Sequence, residues 1–154
     1  MKRGNAACLF ALTAIFAGWS ASREVPVQAQ ATDVLVMVVN NANTAVKNMS
    51  IGEARKLLLG ETSDWRTGSK VLVVLKPVGN PDRATVLKKI CGMTETIYTR
   101  YEMQASFTGQ TVATVNVASS DAAVKATVKA NAGAIGFLHK SEVDASVKSV
   151  LTLD

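Results

Sequence analysis

Apolar positions fall along this chain in short continuous runs separated by amphipathic stretches. Val34-Leu35-Val36-Met37-Val38-Val39, Val71-Leu72-Val73-Val74-Leu75 and Ala134-Ile135-Gly136-Phe137-Leu138 are each of strand length and uncharged. A strand covered on both faces reads this way, because both alternating sets of side chains are buried. Val112 to Val117 alternates and predicts a strand or extended segment, and Val147 to Leu153 predicts a last strand.

Between the strands lie helix signatures. Ser50-Ile51-Gly52-Glu53 is a capping box, opening a helix that runs to Leu59 and stops at Gly60, with Ile51, Ala54, Leu57 and Leu58 on one face. Pro77 to Pro81 is a turn. Asn80 as cap and Pro81 at the first helical position start a second helix that ends near Cys91-Gly92. Thr94-Glu95 starts a third, carrying Ile97, Tyr98, Tyr101 and Met103 and closing near Gly109. Ser119-Ser120-Asp121 caps a fourth, with Ala123, Val124, Thr127 and Val128 on or near one face. Gly133 is expected to close that helix in the left-handed conformation, and Gly136 to admit another backbone or a ligand. Buried strands alternating with helices predict an α/β domain with a largely parallel sheet flanked by helices.

The N-terminus changes the picture. Lys2 and Arg3 precede an uncharged apolar run from Ala6 to Gly18, and Ala29-Gln30-Ala31 is a small-x-small cleavage site. This predicts an export signal over residues 1–31, its apolar part too short to span a bilayer comfortably, and a mature domain over residues 32–154 with no membrane span after cleavage; an uncleaved N-terminal anchor is the competing reading. A periplasmic or secreted location follows. Loss of Lys2, Arg3, Arg23 and Glu24 lowers the formal net charge of +5 by two. The remaining Lys and Arg are scattered, which gives no nucleic-acid footprint.

Candidate chemistry is sparse. Cys91 would be the sole cysteine after cleavage, so no intrachain disulfide is expected, and a buried thiol is the favoured reading. His139 is the single histidine. Far from Cys91, it makes no metal site that spacing can reveal, and no cofactor is expected. No serine has a readable base partner, and the Gly-x-Ser-x-Gly elbow is missing, so the chain reads as a non-enzyme. The helix N-terminus from Asn80 to Arg83 is the best anion-binding place, with Lys76 approaching from the strand end and Arg83 from the first turn. Asp82 would compete for the same amides, and an ordinary capped helix with solvated charges is the competing reading. Trp65, Tyr98 and Tyr101 are expected to pack rather than to stack on a ligand.

Four pieces in order carry a family resemblance. They are the strand ending at Asn40 with the helix after it; Leu57-Leu58-Leu59-Gly60 with Trp65; Tyr101 with Phe107-Thr108-Gly109; and Gly133-Ala134-Ile135-Gly136-Phe137. This set resembles the periplasmic solute-binding superfamily of type 2, the phosphate-binding kind in particular. The full-length family has two lobes with the ligand held between them, and this chain resembles one. The resemblance implies a solute-binding-like module that takes phosphate or another small oxyanion within an ABC-transport or sensing system. The alternative is a non-catalytic periplasmic interaction module that has lost ligand binding. Either way a small anion, an envelope protein or a second copy would be the partner, and a lone lobe would bind small ligands weakly; the contact is expected on the cleft side, near Asn40 to Asn43, Lys76 to Asn80 and the strand end at Leu138-His139. The implied ligand residues are Asn40, Lys76, Gly79, Asn80, Asp82 and Arg83. In this chain Lys76 stands where the family has Arg, Val78 replaces an Asp, Asn80 a Ser, Asp82 a Thr and Glu102 a Trp.

Overall fold

A computed structural model describes residues 34–109 and 113–154. The expected export signal over residues 1–31 lies outside the described residues, as does Val112 at the start of the fourth apolar segment. The described chain runs β1 (Leu35–Asn40), α1 (Ile51–Leu58), β2 (Leu72–Leu75), α2 (Pro81–Val86), α3 (Glu95–Phe107), β3 (Thr114–Val117), α4 (Asp121–Ala130), β4 (Ala134–His139) and β5 (Val147–Leu153). Among the described residues no helix is long and apolar enough to cross a membrane.

Local chemistry sets the helix ends. Ser50 and Glu53 form the expected capping box, with the Glu53 amide donating to Ser50 Oγ and the Ser50 amide to Glu53 Oε2. Asn80 caps α2, its Oδ1 accepting from the Asp82 amide at 2.9 Å. A π-helical turn, Leu87–Cys91, prolongs α2, and Gly92 ends it at φ 68°. Ile51 departs from the expected apolar face of α1. It is half exposed, and Ala54, Leu57 and Leu58 make the buried stripe.

The five strands form one sheet in the order β3-β2-β4-β1-β5. β2 pairs in parallel with β3 and β4, while β1 pairs antiparallel with β4 and β5. The expected sheet of mostly parallel strands therefore holds for β2, β3, β4 and β5, which all run one way. β1 is inserted against them. A two-sided apolar run does not encode its direction, because both orientations bury the same side chains.

Each central strand feeds two cores. Leu35, Met37 and Val39 join Val73, Leu75, Ile135 and Phe137 under α1, α2 and α3. Val36 and Val38 join Val74, Ala134 and Leu138 under Val124 and Val128 of α4. The β1–β5 register slips between Met37 and Val38, leaving Val150 as the extra residue. This bulge exchanges the faces of β5: Val147 points into the α4 core, while Val150 and Leu153 point into the other.

Two glycines have spatial reasons. Gly133 lies outside the left-handed region, contrary to expectation. Its need is room, since a Cβ there would lie 2.1 Å from the Lys70 carbonyl oxygen. At Gly136 a Cβ would meet Val124 Cγ1 at 2.6 Å and Val128 Cγ2 at 3.1 Å. Its close neighbour is thus helix α4 packing on the sheet.

Candidate functional site at the carboxyl end of the sheet

β2 and β4 are parallel neighbours, so Lys76 and His139 emerge side by side at their carboxyl ends. After β2 the chain passes along one face through α2 and α3 to β3. It then crosses the other face through α4 to reach β4. The chain therefore leaves the β2 edge in opposite senses, the kind of topological switch point where open α/β sheets form crevices. Asp82, in the first turn of α2, and Asp121, the first residue of α4, meet there.

Lys76 is buried, with 7% of its side chain exposed, and its ammonium pairs with both carboxylates. Nζ lies 2.7 Å from Asp121 Oδ1 and also bonds Asp82 Oδ2. Burial opposes its charge, but the hydrogen bonds to Asp121 and Asp82 outweigh that and raise its pKa above the ordinary lysine value. Burial likewise pushes the Asp121 carboxyl up, and hydrogen bonds from His139 and Lys76 more than reverse it, so Asp121 titrates below the usual aspartate range. The His139 ring closes the group, with Nδ1 2.7 Å from Asp121 Oδ2 and Nε2 3.6 Å from Asp82 Oδ1.

Arg83 turns away from this group. It is buried, with Nε 2.7 Å from Glu95 Oε1 and Nη1 3.2 Å from the Lys76 carbonyl oxygen, over the Tyr98 ring. Its guanidinium thus ties α2 to α3 and to the strand end. Gly79 holds φ +86° in the turn before α2 with open space around its α-carbon, and Asn80 spends its side-chain oxygen on the cap.

Asn40 departs from the expected set. β1 runs against β2 and β4, so its carboxyl end lies at the opposite end of the sheet from Lys76. There Asn40 Nδ2 donates to the Val128 and Lys129 carbonyl oxygens at 2.9 and 2.8 Å. Its Oδ1 accepts from the Ala42 amide at 2.8 Å. Asn40 thus supplies donors to carbonyls in the last turn of α4, of which that of Val128 also accepts from the Asn131 amide at 3.4 Å. The stretch from Asn40 to Asn43, expected on the cleft side, shares that remote position.

The aromatic residues pack, as expected. Trp65 Nε1 donates to the Gly133 carbonyl oxygen, and the hydroxyls of Tyr98 and Tyr101 donate to the Leu58 and Leu59 carbonyl oxygens. Cys91 is buried, which pushes its thiol up to about 11.

Comparison with solved structures bears on this geometry. An ABC-type phosphate transport receptor from Vibrio cholerae matches 77% of this chain and 45% of its own at TM-score 0.61 and 23% identity. A candidate phosphate ABC transporter substrate-binding protein from Clostridium perfringens, solved with bound phosphate, matches 77% and 44% at TM-score 0.63 and 19% identity. PstS from Borrelia burgdorferi matches 77% and 46% at TM-score 0.59 and 13% identity. The fold is periplasmic-binding-protein-like. It has the size of a single lobe, because the chain spans less than half the length of each of these proteins. No family model matches the chain, and no curated protein matches it.

Asp121 and His139 are missing from the implied ligand set, although the strand end at Leu138-His139 is expected on the cleft side and is found there. The legible signals were a capped helix start at Ser120 and a polar residue ending an apolar strand. Only the sheet order brings them to Lys76. Other concave surfaces lie away from this group. A cleft of about 390 Å³ beside α1 includes Met49, Lys56, Trp65 and Arg66. A shallow apolar surface runs from Val78 along α3 to Met103 and Phe107.

Proposed function

We propose that this chain is an extracytoplasmic, non-catalytic solute-binding-like module of an ABC-transport or sensing system. Its ligand would be phosphate or another small oxyanion, received at the carboxyl end of β2 and β4. The observation that carries this reading is the convergence of Lys76 with the first turns of α2 and α4 at that switch point, in a fold shared with phosphate-binding proteins. Lys76, Gly79 and Asn80 would contribute from the turn, and Asp82 would have to yield Lys76 or accept a hydrogen bond from a protonated oxyanion. Arg83 would act by fixing the turn through the Lys76 carbonyl.

A single lobe supplies donors from one side only. Losing two charge-assisted hydrogen bonds removes about 3–6 kcal/mol. At ~1.4 kcal/mol per tenfold, a micromolar site falls to roughly millimolar. A second copy or another envelope protein would complete it. Calorimetric titration with phosphate and sulfate at low salt, in a chelator, with light scattering alongside, tests this. Weak phosphate binding that tightens on self-association is expected. Submicromolar binding by a strict monomer would refute the half-site reading.

One observation favours the alternative, an interaction module without ligand. Lys76 is already paired with two carboxylates, and a separate exposed apolar surface runs from Val78 along α3 to Met103 and Phe107. A complete lack of response to oxyanions in a thermal-shift screen selects it.

A further inference from the structure

We propose that Asp82, Asp121 and His139 form a binding site for a divalent transition-metal ion of the zinc type. One ligand atom from each of the three lies within 4.8 Å of the others. They come from three separate elements: the first turn of α2, the start of α4 and the end of β4. Lys76 takes one oxygen of each carboxylate, Asp82 Oδ2 and Asp121 Oδ1. The remaining oxygens, Asp82 Oδ1 and Asp121 Oδ2, are those that approach the imidazole.

That division of labour is what an outer-sphere group does for metal-ligating carboxylates: it anchors one oxygen and orients the other. The charges agree. Two carboxylates face one ammonium, so with neutral His139 the group carries one negative charge in excess. A divalent cation would more than balance it. One imidazole nitrogen with two carboxylate oxygens suits zinc-type ions, whereas magnesium and calcium prefer oxygen alone. Binding through Nδ1 would replace the His139–Asp121 hydrogen bond with a metal–nitrogen and a metal–oxygen bond, the single proton of the neutral imidazole moving to Nε2. Three protein ligands leave a position open to water or an anion. The inference does not depend on oxyanion binding, because it concerns the metal alone.

The full chain, stripped with chelator and dialysed into phosphate-free buffer, is titrated with Co²⁺ and separately with Zn²⁺. Saturable visible absorption with Co²⁺ and a one-to-one heat with Zn²⁺ are expected. Because His139 is the only histidine, its ring resonances give a second readout: they should shift with Zn²⁺ and be lost to paramagnetic broadening with Co²⁺. His139→Ala and Asp121→Asn should each weaken binding by at least about tenfold, while Lys125→Ala, in an exposed ion pair outside the group, should leave it unchanged. Lack of saturable binding at submillimolar metal overturns the proposal. So does binding that leaves the His139 resonances unmoved, an outcome readable on the unaltered protein even if a variant fails to fold. Phosphate binding in chelator with no metal binding would sink this site and spare the oxyanion reading.

Discussion

The ammonium of Lys76 sits 2.7 Å from Asp121 Oδ1, joining the end of β2 to the start of α4 across the carboxyl edge of the sheet. With Asp82 on its other side, this ammonium is held by two carboxylates and largely shielded from solvent. Removing one member of such a group leaves the others unpaired, which is costlier than removing the whole group. Lys76→Met should therefore destabilise the domain by about 3–5 kcal/mol. Adding Asp121→Asn to it should recover part of the loss, because the two sites are coupled. Urea denaturation of the single and double variants decides this; strictly additive losses would show that the pair is not coupled.

Asp121 should make the fold acid-sensitive. Its carboxyl titrates below the usual range in the folded state, despite burial, because His139 and Lys76 hydrogen-bond the carboxylate. Folding therefore favours the ionised form. The contribution is fully present above the unfolded value of about 4 and is lost as pH falls through the folded value below it. The midpoint of thermal unfolding should drop between pH 5 and pH 2 in the unaltered protein, and less steeply in Asp121→Asn. Parallel profiles would remove Asp121 from the account.

Cys91 should be inert in the folded protein. Burial pushes its thiol up to about 11, only partly offset by Arg55. Thiolate is the reactive form. In a Cys8→Ser background, iodoacetamide at pH 8 should leave the native protein unmodified and alkylate it once urea is added. Rapid modification of the native protein would mean that the end of α2 opens readily.

Much of the fold was legible because burial leaves a local trace. β1, β2 and β4 read as uncharged runs, and Ser50, Asn80, Thr94 and Ser120 each mark a helix start that the structure keeps. What failed depends on partners distant in sequence. The direction of β1 is set by its pairing with β4, not by its composition, and with it went the position of Asn40. The bulge at Val150 needs the β1 register to be seen. Gly133 was correctly singled out for the wrong reason, since the approach of the Lys70 carbonyl is a tertiary fact. The site was half legible: Lys76 and Asp82 lie in one turn, whereas Asp121 and His139 reach it only through the strand order.

Gly136 should not tolerate a methyl group. Its Cβ would meet Val124 Cγ1 at 2.6 Å and Val128 Cγ2 at 3.1 Å, both on the helix that covers this face. Overpacking of this kind costs about 1–3 kcal/mol. Gly136→Ala should fall in that range by urea denaturation, and Gly136→Ala with Val124→Ala should recover most of it. A neutral single substitution would mean that α4 shifts freely on the sheet.

Asn40 separates a structural role from a ligand role. Its amide donates to two carbonyls at the end of α4, and its oxygen holds the Ala42 amide, so the side chain locks the β1 turn to the helix. Asn40→Ala removes the donor to the Lys129 carbonyl and the acceptor of the Ala42 amide, and leaves the Val128 carbonyl only the long bond from the Asn131 amide. An unsatisfied buried polar group costs about 1–3 kcal/mol, and the variant should lose at least that much in urea. Asn40→Asp should also lose stability, because a carboxylate cannot donate and would face helix C-terminal carbonyls that already carry partial negative charge. Neither change should alter the affinity for phosphate or for Co²⁺ measured on the folded protein, since Lys76, Asp82, Asp121 and His139 stand at the other end of the sheet. A tenfold loss of either affinity in a variant that remains folded would return Asn40 to the site and would require the two ends to be coupled.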